Sequence, residues 1–162
     1  MVNREAEMFH KQGMAYLREG KNKEALELFD KALKFDDEYF PALNNKGVIL
    51  LEFKEYKRAA ECFEKVVRLN PADRMALYNR GYALSMMGDY EGSFKIFDFF
   101  LMNTSKDNDF FKFALFLQAQ NYYGLKDYEN ALVLLNDVIK IDNNFKEAHE
   151  LRSEVNKIIN KK

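Results

Sequence analysis

A repeat constrains this chain more than any other feature. Lys46-Gly47 and Arg80-Gly81 lie 34 residues apart, and Gln12-Gly13 precedes the first of them by the same 34. Ala25, Ala59 and Ser93 keep that spacing, as do Phe29, Phe63 and Phe97. The phase then slips: Tyr56 to Tyr90 is 34 residues, whereas Tyr90 to Tyr128 and Ser93 to Ala131 are both 38. A period of this length marks one supersecondary unit used several times, each too small to bury its own apolar face and stable only against a neighbour. The slip places an insertion near residues 108–111, ahead of a fourth unit.

Within each unit the apolar residues fall at helical spacing in two blocks, as in Phe9, Gly13 and Tyr16 followed by Ala25, Leu28, Phe29 and Ala32. Gly20-Lys21-Asn22, Phe53-Lys54-Glu55, Gly88-Asp89 and Leu125-Lys126-Asp127 separate the blocks. Such short links make the two helices antiparallel neighbours. Gly13, Gly47, Gly81 and Ala119 are small where the paired helices must approach, and Ala25, Ala59, Ser93 and Ala131 do the same on the facing helix. From Lys146 to about Ile159, Ala148, Leu151, Val155, Ile158 and Ile159 share one side, which predicts a ninth, closing helix.

Composition agrees and excludes several classes of function. The 162 residues are 48% hydrophobic, enough for a sizeable core, and seven Gly with two Pro are too few for the turns of an all-β chain. Lys and Arg number 25 against 26 Asp and Glu, so no overall basic excess exists to neutralise a phosphate backbone, and no nucleic-acid partner is expected. Cys62 is the single cysteine, which rules out an internal disulfide, and with only His10 and His149 beside it no metal site is expected. A reducing, cytoplasmic location follows as the expectation. No segment has the length of a signal peptide or of a bilayer span, so direct membrane insertion is not expected either.

Set out unit by unit, the residues resemble the tetratricopeptide repeat. The first carries Phe9, Gly13, Tyr16, Ala25, Phe29 and Ala32, and the second Leu43, Gly47, Leu50, Ala59, Phe63 and Pro71. Leu77, Gly81, Leu84, Ser93 and Phe97 form the third, and Leu115, Ala119, Tyr122, Ala131 and Leu135 the fourth. The resemblance implies an all-α fold, a right-handed α-α superhelix of four helix-turn-helix repeats and a capping helix. On this reading residues 1–162 form one domain, with repeats at about 6–39, 40–73, 74–107 and 112–145, an insertion at 108–111 and a cap at about 146–160.

Candidate chemistry is sparse. His10 and His149 fall at opposite ends of the array and have no evident nucleophile or carboxylate partner. Cys62 immediately precedes the core residue Phe63 and reads as a small buried hydrophobe. The glycines are scattered, with no phosphate-cradling loop, and Asp36-Asp37-Glu38 lacks the alternation of a calcium loop. No catalytic residues and no cofactor are expected.

The expected function is therefore binding. In a stacked array the first helix of each pair builds the inner wall, whose residues are offset about a quarter turn from those facing the partner helix. That offset selects Met14, Asn45, Met75, Tyr78, Asn79, Tyr82, Phe113, Phe116 and Tyr123, a wall grading from polar to aromatic. It suits a non-catalytic adaptor holding a peptide or amphipathic helix of another protein. Co-chaperones of the family grip a C-terminal carboxylate with Lys, Arg and Asn, but the matching places here hold His10, Met14, Asn45, Met75 and Asn79, of which only Asn45 conforms. That subclass is rejected. A rival reading is self-assembly, for example as a homodimer, through the capping helix or a Phe-rich junction at Phe99, Phe110 and Phe111, where Phe100 also replaces the smaller Ala32, Val66 and Val138. A third is a carrier of an apolar small molecule.

Overall fold

A computed structural model of the chain describes residues 3–106 and 108–161. Among the described residues there are nine helices and no strand: α1 (Arg4–Arg18), α2 (Asn22–Phe35), α3 (Phe40–Glu52), α4 (Tyr56–Leu69), α5 (Arg74–Met86), α6 (Tyr90–Met102), α7 (Asp109–Gly124), α8 (Tyr128–Ile141) and α9 (Lys146–Ile159). They form two compact units, one ending at Ala83 and one starting at Leu84, so the boundary falls inside α5.

The turns within each pair repeat as faithfully as the core. Gly20, Lys54, Gly88 and Lys126 hold the left-handed conformation, with φ of +74°, +60°, +79° and +61°. The following N–H reaches back over the helix end, Lys21 to the Tyr16 carbonyl, Glu55 to Leu50, Asp89 to Leu84 and Asp127 to Tyr122, which satisfies carbonyls the helix leaves open. Between pairs, Asp36, Asn70 and Asp142 each accept a hydrogen bond from the N–H two residues on, those of Glu38, Ala72 and Asn144. The third unit has the buried Thr104 in that place, and its connection runs over 103–108 where the others take four residues.

In the first unit Ala25, Phe29 and Ala32 of α2 pack with Ala6, Ala42 and Ile49, all with no exposed surface. A Cβ built on Gly13 would lie 2.6 Å from the Phe29 ring, and one on Gly47 would lie 2.6 Å from Phe63. Glycine is required at both positions because a phenyl ring occupies the space of a side chain. In the second unit the corresponding pair is Ala119 with Leu135, both fully buried in one cluster. The facing residue loses volume where the glycine gains a methyl, so packing density is conserved.

A polar cross-link recurs from the second helix of one pair to the first helix of the next. Lys46 Nζ meets Asp30 Oδ1 at 2.5 Å and Arg80 Nη2 meets Glu64 Oε1 at 3.0 Å. Gln118 Nε2 donates to Asp98 Oδ1 at 2.7 Å, and Arg152 Nη1 to Asn136 Oδ1 at 3.2 Å. Each partly exposed link contributes only about 0.2–1 kcal/mol. The fourth identifies α9 as a first helix, in phase with α3, α5 and α7. Where those helices carry Leu43, Gly47 and Leu50 or their counterparts toward a second helix, α9 carries His149, Ser153 and Asn156. That face is polar, with Ser153 and Asn156 exposed.

Candidate protein-binding surfaces

In the first unit, α1 and α3 bring Met14, Asn45 and His10 together. Asn45 Nδ2 donates to His10 Nε2 at 2.9 Å and to the Pro41 carbonyl at 3.0 Å, and lies 3.3 Å from Met14 Sδ. The Asn45 amide, expected on the inner wall, is therefore already engaged through its nitrogen. The His10 ring sits 5.5 Å from both Phe29 and Tyr39, and burial lowers its pKa below the usual 6.5 against the opposing pull of Glu7. The folded chain thus binds fewer protons here than the unfolded chain as pH falls through 6.5. The stability from His10 is complete above that pH and is lost below it. Denaturation midpoints compared between about pH 7.5 and pH 5.5, a window spanning the His range, should fall for the natural chain and fall less for His10→Gln. Equal slopes would show that His10 is not the group responsible.

Further along, α5 carries Met75, Tyr78, Asn79 and Tyr82. Met75 is 47% exposed, and the other three are half-buried. The Tyr82 ring meets Tyr56 edge-on at 6.4 Å. Burial, with Tyr82 beside it, pushes the Tyr78 hydroxyl up to about 12, so it stays un-ionised and able to donate. Val48 of α3, one repeat before Tyr82, is 41% exposed.

In the second unit Phe113 and Phe116 of α7 both meet the Phe145 ring edge-on, at 5.4 and 5.0 Å. Phe113 stays 36% exposed and Phe116 half-buried. The Tyr123 hydroxyl donates to Glu154 of α9, which raises its pKa, and its ring lies 5.8 Å from Tyr128. These three aromatic residues lie on one side of α7 and reach the start and middle of α9.

The Phe-rich junction differs from expectation. Phe99 is 46% exposed and Phe110 half-buried, but Phe111 is only 8% exposed. Asn108 caps α7 by accepting from the Phe110 N–H, and the helix then places Phe111 in line with Ala114, Gln118 and Asn121, all buried. Phe111 belongs to the seam, not to an exposed patch. Phe100 is fully buried, as a wider local core requires.

Sequence reasoning missed one cluster. Asn121, with no exposed surface, donates from Nδ2 to Ser93 Oγ at 2.9 Å and accepts at Oδ1 from the Ser85 hydroxyl. Continuing the 34- and 38-residue register would have shown it, because Asn121 falls where the other first helices have Ile49, Ala83 and Val155. Burial pushes the Cys62 thiol up, away from the reactive thiolate. Among the described residues no group of three or more His, Cys, Asp or Glu could hold a metal ion, and no helix is long and apolar enough to cross a membrane.

Paired helices in this register match a known repeat. Profiles of the tetratricopeptide repeat match residues 6–39, 40–73 and 113–142, together more than half of the chain. The chain belongs to the tetratricopeptide-repeat family. Among solved structures it is similar to MamA (41-end) from Desulfovibrio magneticus RS-1, with 21% identity, 99% of this chain and 88% of that chain covered, and a TM-score of 0.87. A tetratricopeptide repeat protein from Parabacteroides merdae ATCC 43184 is 20% identical over 96% of this chain and 59% of that one, with a TM-score of 0.80. The second TPR of Spaghetti (RPAP3), bound to HSP90 peptide SRMEEVD, is 20% identical over 63% of this chain and 94% of that one, with a TM-score of 0.58. No curated protein matches the sequence. The fold supports a protein-interaction or scaffold role, and tetratricopeptide-repeat proteins are generally non-catalytic adaptors.

Proposed function

We propose that the chain is a non-catalytic adaptor holding a peptide or amphipathic helix of another protein against the exposed sides of its first helices. One observation carries this reading: at one repeat position Met75 in the first unit and Phe113 in the second stay 47% and 36% exposed, and at another Val48 stays 41% exposed in the place of the half-buried Tyr82. Large apolar side chains at the same phase of successive first helices offer anchors, with tyrosine supplying rigid contact area and methionine an adaptable one. The peptide-bound Spaghetti repeat supports the mode of use. The ligand differs, because a carboxylate grip needs cations and His10, Met75 and Asn79 occupy those places. Self-assembly through the Phe-rich junction is the weaker reading, since Phe111 is buried within the chain.

A photoreactive residue installed at Tyr82 in cells should capture the partner, and identification of the adduct names it. Tyr82→Ala should then weaken binding of that partner about thirtyfold, the equivalent of about 2 kcal/mol at an anchor. Helicity should be unchanged, because Tyr82 is not part of the closed core. Unaltered affinity would place the site elsewhere.

A further inference from the structure

We infer that the side of the second unit formed by α7 and α9 docks a basic amphipathic segment of another protein, its apolar side chains on Phe113 and Phe116 and its Lys or Arg side chains against Glu147, Glu150 and Glu154. The inference rests on the reading of the first helices as a peptide-binding surface and gives that peptide its chemistry. Because α9 is a first helix in register with the others, its positions can be compared one by one. Glu147 stands where α3, α5 and α7 have Pro41, Met75 and Phe113. Glu150 replaces Asn44, Tyr78 and Phe116, and Glu154 replaces Val48, Tyr82 and Gln120. All three positions are carboxylates on this helix, whereas α1 has Glu7, His10 and Met14 there.

Spacings of three and four put the three glutamates on one face, and all are exposed. The hydrogen bond from Tyr123 to Glu154 shows that this face borders the aromatic side of α7, as do the ring contacts of Phe113 and Phe116 with Phe145 at the α9 N-cap. The neighbouring cations are spoken for: Lys146 pairs with Glu150 at 3.5 Å and Lys112 with Asp142 at 2.8 Å. Among the described residues neither Glu147 nor Glu154 is in an ion pair, and Lys157 lies at the edge of their face. The polar face of His149, Ser153 and Asn156 is separate from that of the glutamates. Rings bordered by exposed carboxylates favour a cation twice, through charge and through the ring faces.

The test uses the whole chain and three synthetic fluorescent peptides: lysines interleaved with leucines, the same with glutamate for lysine, and the same with serine for leucine. Fluorescence anisotropy should show saturable binding of the first alone, weakened by salt. The triple variant Glu147→Gln, Glu150→Gln, Glu154→Gln, which keeps shape and removes charge, should weaken that binding about tenfold or more. Phe116→Ala should weaken it too, with circular dichroism confirming that both variants fold. If the glutamate peptide binds as well and depends on Phe116, the basic ligand is wrong while the peptide-binding reading stands. If none of the peptides binds, or the triple variant binds the lysine peptide undiminished, the inference is overturned. Absence of any adduct at Tyr82 would overturn the broader reading separately.

Discussion

Phe63→Ala should lower the unfolding free energy by about 4 kcal/mol, the middle of the range for emptying a phenyl site in a closed core. Phe63 has no exposed surface, and its ring fills the space above Gly47. The same contact makes Gly47→Ala costly, against the helix preference that would gain about 1 kcal/mol from the exchange. A Cβ at 2.6 Å from the ring forces the helices apart, and overpacking of this kind costs about 1–3 kcal/mol. The sharper result is the double variant. Gly47→Ala with Phe63→Leu recreates the Ala119 and Leu135 pair of the second unit, which packs with no exposed surface. Chemical denaturation should find it more stable than the sum of the single effects predicts. Strict additivity would mean that the two positions do not share one volume.

Asn121→Ala should cost about 2–3 kcal/mol, because it removes both hydrogen bonds of a fully buried amide and leaves the Ser85 hydroxyl without its acceptor. Replacing the whole network should cost far less. Ser93→Ala and Asn121→Ile bring in the residues of the matching places in the first unit, Ala25 and Ile49, both fully buried in one cluster, and Ser85→Ala removes the remaining hydroxyl, whose counterpart there is Leu17. The triple variant should lie within about 1 kcal/mol of the natural chain, since apolar groups of suitable shape replace a paired polar set at little net cost. Denaturation curves for the single and triple variants decide it. A triple variant as unstable as Asn121→Ala would show that shape, not hydrogen bonding, controls the site. The network lies toward the C-terminal end of α7, with Ser85 near the end of α5 and Ser93 near the start of α6. Directional bonds from Asn121 to α5 and α6 give α7 one register there, which apolar contacts alone specify less sharply.

Much of the fold was legible because the information was local and repeated. Phe29, Phe63 and Phe97 at constant spacing, with a small residue on each facing helix, announce one packing solution used again and again. The exposed sides were legible in phase but not in partnership. Tyr123 was expected to face a ligand and instead donates to Glu154, and the amide of Asn45 is engaged by His10 and Pro41. The contacts of Tyr123 with Glu154 and of Asn45 with His10 join residues 31 and 35 apart, on helices whose pairing no single block of sequence encodes.

By itself the sequence determined the helices, their paired blocks and the small-against-large seams, since each follows from residue type and period alone. The tertiary structure decided which aromatic residues remain available. Phe99 and Phe111 stand close in sequence and are chemically identical, yet one is 46% exposed and the other 8%. Their difference comes from where the Asn108 cap starts α7 and hence which way its first turn faces, a choice made by neighbouring helices across the seam and not by the residues themselves.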